Sequence, residues 1–195
     1  MKKIMFALWL GFTAVAVTSC KDNDKDPRPA TESMPNVTST NATPTFSQAD
    51  ARNAAINPTI TFTVNVTGPS IDQVEAVEVY KTFRNIVRNA QGQSTIQTLP
   101  RVLVRSIAPA QTTIEIPFND LVANLQRRGA ASGAAFNAPL TPLTRASLTA
   151  QESFLFTYEL ILKDGRRIVL TPTSGGVVSG SQTIAPFAAI VTIGS

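Results

Sequence analysis

Between Thr59 and Thr67 the chain alternates without a break, with Ile60, Phe62, Val64 and Val66 on one side and Thr59, Thr61, Thr63, Asn65 and Thr67 on the other. A period of two marks a β-strand with one buried and one wet face. Gly68-Pro69-Ser70 ends it. Residues 74–83 form a second strand, opposing Val77 and Val79 to Glu78 and Tyr80. Shorter strands are expected at 101–107 and 112–118, the latter aligning Ile114, Ile116 and Phe118. The strongest strand places Phe154, Phe156, Tyr158, Leu160 and Leu162 on one face. Asp164-Gly165 follows, a pair favoured in two-residue hairpins because both positions accept positive φ, and residues 166–171 are the return strand. Beyond a Gly/Ser-rich stretch at 174–181, residues 187–193 close the series.

One helix interrupts the strands. Asn119 or Asp120 can cap it, Leu121 and Leu125 sit four apart, Arg127 and Arg128 fall in its last turn, and Gly129 stops it. These signals predict about three helical turns. Residues 129–140, rich in Gly and Ala, read as a loop. About seven strands with turns between them and one short helix predict a mainly β domain over residues 50–195, an antiparallel β-sandwich of immunoglobulin-like architecture. With one cysteine in the chain and no tryptophan in this region, the antibody-type disulfide and core tryptophan are excluded.

The N-terminal pattern is of another kind. Lys2-Lys3, an apolar run from Ile4 to Val17 and a small-residue site make up a secretory signal over residues 1–19. The run is shorter than the ~20 residues a spanning helix needs. Val17-Thr18-Ser19-Cys20 places the sole cysteine directly after the cleavage site. An ordinary signal would leave Cys20 as a free thiol, and a disulfide within the chain is impossible. The segment resembles the bacterial lipobox, which implies acylation of Cys20 and attachment to the outer membrane through an N-terminal lipid. Two or more acyl chains anchor stably, at about 0.8 kcal/mol per buried methylene.

Lys21, Asp22, Asp24 and Asp26 follow at once. A lysine and acidic residues directly after the cysteine resemble the surface-export signal of Bacteroidota-type lipoproteins, and imply a protein facing the cell exterior. The bland reading is a solvated linker. Calcium is excluded as a reading, because Pro27 occupies the glycine position of an EF-hand loop and Ser33 the closing glutamate. No metal or cofactor is expected. Pro, Thr, Ser and Asn dominate up to residue 49, so residues 20–49 are expected to form a disordered tether. Such a chain would span roughly 25–30 Å root-mean-square.

Composition removes most chemistry. Without histidine there is no imidazole base and no Ser–His pair. Two acids facing one sugar bond would suffice for a glycosidase, but Glu75 and Glu78 point to opposite faces of their strand, Glu115 and Glu159 sit on wet faces, and nothing forces two acids into one cleft. An enzyme is therefore not expected. The formal charge of +4 falls to +2 once Lys2 and Lys3 leave with the signal. Arg101, Arg105, Arg127, Arg128, Arg145, Arg166 and Arg167 are scattered without aromatic interleaving, which argues for solvated faces and against nucleic acid. Glycan platforms use exposed aromatic rings. The only tryptophan, Trp9, lies in the signal, and Tyr158 shares a core face, so Tyr80 alone could serve.

Phe118-Asn119-Asp120-Leu121, then Phe154-Leu155-Phe156-Thr157-Tyr158, then Lys163-Asp164-Gly165-Arg166 are similar to the C-terminal half of immunoglobulin-like accessory lipoproteins of starch-utilisation-type outer-membrane systems. The resemblance covers about residues 57–193 and implies a partner in an outer-membrane receptor complex. The expected function is a membrane-anchored, non-catalytic accessory or protein-interaction module. The alternative is a glycan- or nutrient-binding surface lipoprotein, which exposed aromatics do not support.

Overall fold

The structure, a computed structural model, describes residues 35–41, 45–169 and 189–195. It is mainly β. β1 (Asn36–Asn41), β3 (Thr59–Thr67) and β7 (Thr112–Pro117) form an antiparallel sheet in the order β1-β3-β7. β2 (Thr45–Ser47), β4 (Val74–Arg88), β5 (Ser94–Thr98), β6 (Val102–Ile107), β11 (Ser153–Leu162), β12 (Arg167–Val169) and β13 (Ala189–Gly194) build a larger mixed sheet. Its spine is β13-β11-β4-β5; β6 shares the β5 side of β4, β12 lies beside β11, and β2 runs parallel to β13. β8 (Gln126–Arg128) and β10 (Leu140–Pro142) make a small ribbon, and β9 (Ala134–Ala135) touches β4.

Alternation puts the two sheets' apolar faces into one core. Ile60, Phe62, Val64 and Val66 of β3 are buried, as are Val77, Val79 and Phe83 of β4 and all five expected positions of β11. The Phe62 and Phe156 rings meet across the sheets at 4.7 Å between centroids. Phe154 packs on Phe83 at 5.3 Å, and Phe118 stands edge-on to both Phe154 and Phe46. Burial pushes the Tyr158 phenol up to about 12, with a small opposing pull from the Ser39 hydroxyl.

The structure corrects the sequence reading at five places. The expected signal, residues 1–19, Cys20 and residues 21–26 lie outside the described residues, as do 174–181. The tether expected over residues 20–49, however, gives up its end to the domain. Val37 is fully buried on β1, Phe46 is buried on β2, and Ser47 caps α1 (Gln48–Arg52) by accepting from the Asp50 N–H. One buried valine in a Thr/Ser/Asn strand leaves too little periodicity to see; backbone pairing to β3 holds it.

The three-turn helix is also shorter. α2 (Phe118–Val122) ends because Ala123 is extended and Asn124 turns left-handed at φ 60°. Leu121 and Leu125 are both buried, so the spacing of four survives although a turn separates them. Arg127 and Arg128 run as strand β8. The stretch 129–140, read as a loop, carries β9, whose neighbour Gly133 donates to the Ile86 carbonyl. At the Asp164-Gly165 hairpin the Leu162 N–H donates to Arg166 O and its carbonyl accepts from Gly165 N, enclosing three residues instead of two. Gly165, at φ 84°, takes the left-handed place of that turn. Finally, β11 is buried on both faces, since Ser153, Thr157 and Glu159 of its wet side are nearly inaccessible.

Candidate functional site

Of the residues singled out from sequence, Val17, Thr18, Ser19, Cys20, Lys21, Asp22, Asp24 and Asp26 lie outside the described residues. The acids give the first surprise. Antiparallel pairing sets Glu159 of β11 directly opposite Glu78 of β4. Like charges at such a site repel, and two arginines offset this. Arg167 on β12 donates to both carboxylates, through Nη1 at 3.0 and 3.1 Å and through Nη2 to Glu78 at 2.6 Å. Arg101, between β5 and β6, pairs with the other Glu159 oxygen. Tyr80 donates its hydroxyl to Glu78 at 2.6 Å.

That bond and the Arg167 bonds hold the Glu78 carboxyl below its ordinary range, and the same bond to Glu78 raises the Tyr80 phenol. A glycosidase acid needs the opposite displacement. The cluster therefore acts as a clamp joining β4, β11, β12 and the β5–β6 connection. It also takes the one candidate sugar platform, because the Arg101 guanidinium lies 4.2 Å above the Tyr80 ring.

Two of the arginines expected on solvated faces, Arg127 and Arg145, are instead buried. Arg127 is fully inaccessible and pairs with equally buried Glu152 at 3.1 Å. Its Nη1 donates to Ser147 O, while Asn85 and the Thr149 N–H complete the Glu152 shell. Arg145 holds the carbonyls of Asp50, Ala51 and Ile56 and the Asn119 amide oxygen, over the Phe118 ring. Arg52, though exposed, also donates to Leu148 O. The reason is geometric: short helices and irregular strand connections leave carbonyls that water does not reach, and long basic side chains satisfy them. Arg166, in contrast, pairs with Asp164 at the exposed hairpin tip.

A cleft of about 300 Å³ lies between β6 and β7. Val102, Val104 and Ile116 supply apolar wall, Arg105, Glu115 and Asp120 the polar rim, and Lys81 reaches in from β4. The Lys81 ammonium donates to the carbonyls of Asp120 and Ala123, which α2 leaves unpaired at its end. Burial lowers its pKa, against an opposing pull from Asp120. Arg105 Nη2 donates to the Glu115 carbonyl at 3.1 Å. Sequence periodicity does not reveal this cleft, because Lys81 sits at a core-facing position of its strand. Among the described residues, no three His, Cys, Asp or Glu side chains converge on a metal-sized site.

No protein-family model matches the chain, and no curated protein matches it. A crystal structure of Spo0M, a sporulation control protein from Bacillus subtilis, is similar over 68% of this chain at 12% identity and a TM-score of 0.29. The chain spans 45% of that structure's chain. A likeness of that size carries no argument here.

Proposed function

We propose that this chain is a lipid-anchored surface module, an immunoglobulin-like sandwich that serves as a non-catalytic accessory or interaction component of an outer-membrane assembly. Support for the anchor is the position of Cys20 after Val17-Thr18-Ser19. Support for the architecture is strand order: β1-β3-β7 against β13-β11-β4 with β5 and β6 matches the A-B-E and G-F-C-C′ arrangement of such domains.

The observation that carries the interaction reading is the cleft itself. Its long walls are strand edges, whereas the paired carboxylates lie outside it and are held by guanidiniums. The alternative glycan-holding reading loses support with Tyr80 covered on one face.

The test is fractionation with partner capture. Cys20→Ala should leave soluble or uncleaved protein, and detergent extracts of wild-type membranes should yield a stoichiometric membrane partner. Neutralising residues 21–26 should keep the anchor yet protect the protein from protease shaving of intact cells. Outer-membrane retention of Cys20→Ala at wild-type levels overturns the anchor. Binding to soluble glycans, with no protein partner recovered, overturns the interaction reading.

A further inference from the structure

The geometry points to an extended peptide segment of a partner protein as the occupant of the β6–β7 cleft, adding to β7 as a further strand of the three-stranded sheet. This rests on the interaction reading above and gives that partner a chemistry. Among the described residues β7 pairs with β3 alone and β6 with β4 alone, so two strand edges face the cleft without neighbours. In an antiparallel strand the N–H and C=O of one residue point to the same side. The Glu115 carbonyl accepts from Arg105 across the cleft, so the Glu115 N–H also points away from β3.

The Arg105 guanidinium thus stands where the N–H of an added strand would stand. It belongs to a long, exposed side chain that can swing aside. The charges around it, Arg105 against Glu115 and Asp120, suit a peptide backbone with its alternating donors and acceptors better than a ligand of one charge sign. A strand added here would send alternate side chains toward the apolar wall and toward solvent, so the partner segment should alternate apolar and polar residues. It should also be short. Pro117 ends the edge and lacks an N–H, and the β4–β6 register slips beside Val79 and Tyr80.

The probe is a fluorescein-labelled peptide with the sequence of Thr59–Thr67, whose natural copy already pairs with β7 on its other side. Its control is a peptide of equal composition with the alternation scrambled. Both are titrated by anisotropy into the full chain purified in detergent. The alternating peptide should bind at least ten-fold more tightly. Glu115→Pro deletes the edge N–H without touching the β3 ladder, and should weaken binding ten-fold or more at an unchanged melting temperature. Arg105→Ala removes the occupant guanidinium and should tighten binding about three-fold, which holds the proposal to account should the proline variant fail to fold.

Equal binding of both peptides, or unchanged or weaker binding by Arg105→Ala, overturns the proposal. So does loss of hydrogen-exchange protection in β3, which would mean the peptide replaces that strand, or displacement of the peptide by neutral oligosaccharides. Because anchoring and partner capture are read separately, failure of this proposal leaves the surface-module reading standing.

Discussion

Arg127 and Glu152 offer a sharp energetic test, because each is inaccessible to solvent and each holds groups the other does not. Glu152→Leu leaves the Arg127 charge buried without its carboxylate, at a cost of ~3–5 kcal/mol. Arg127→Met leaves a buried carboxylate facing only the Asn85 amide and the Thr149 N–H, a loss of similar size. In the double variant no charge is buried. What remains unpaired is neutral: Ser147 O, the Thr149 N–H and one Asn85 donor, each worth about 1 kcal/mol. The double variant should therefore lose about 3 kcal/mol, while the singles sum to roughly 6–10. Urea unfolding read from midpoints and slopes measures all four corners. A double variant equal to the sum of the singles, within ~0.5 kcal/mol, would refute the coupling.

Three further outcomes are expected. Phe156→Ala should cost ~3–5 kcal/mol by emptying the space against Phe62, and Thr157→Ala about 1 kcal/mol, since Thr157 is buried but small; a larger urea-midpoint shift for Thr157→Ala than for Phe156→Ala would place the strand one residue out of this register. Glu78 has a folded-state pKa below its ordinary 4.5, so the stability it contributes is present above that pH and disappears as pH falls through the lowered value; Glu78→Gln should flatten that part of the acid limb in pH-resolved melts, and an unaltered limb would count against the clamp. Gly129→Ala pays both a left-handed φ of 71° and a collision with the Ala134 Cβ, whereas Gly92→Ala, at φ 77° in open space, pays only the backbone term of ~1–2 kcal/mol; thermal melts should rank Gly129→Ala well below Gly92→Ala.

What was legible in the sequence was whatever depends on one strand at a time. The alternation at Thr59–Thr67 and along β11 predicted which side chains enter the core, and the turn pair Asp164-Gly165 predicted a hairpin. Pairing between strands was not legible. Glu78 and Glu159 lie on the faces of their strands opposite the core, as read, but Glu159 is buried there. Only the β4–β11 register sets the two opposite each other, and only the hairpin brings Arg167 over both. The helix failed for a different reason. Leu121, Leu125 and two terminal arginines mimic a helix of three turns, yet the Asp120 and Ala123 carbonyls go to Lys81, a partner 39 residues or more away in sequence. A tertiary contact decided where the helix stops, and local propensity cannot contain it. Residues 36–41 failed through thinness of signal, with a single valine to mark a strand.

The same tertiary logic changes what the basic composition means. Lys81, Arg127 and Arg145 count toward the net charge but cannot touch an anion outside the molecule, since each is nearly inaccessible and committed to carbonyls or to Glu152. Arg101 and Arg167 are partly exposed, but each is paired with a carboxylate on the sheet. An anionic polymer approaching the domain would meet fewer unpaired cations than the formal charge promises, and binding by counterion release needs unpaired ones. The arginines are better understood as the fold's answer to its own irregular ends. The proposed peptide would accordingly meet backbone groups more than charge, and the β6–β7 cleft, where one carbonyl is already held by an exposed side chain, carries such groups on unpaired strand edges.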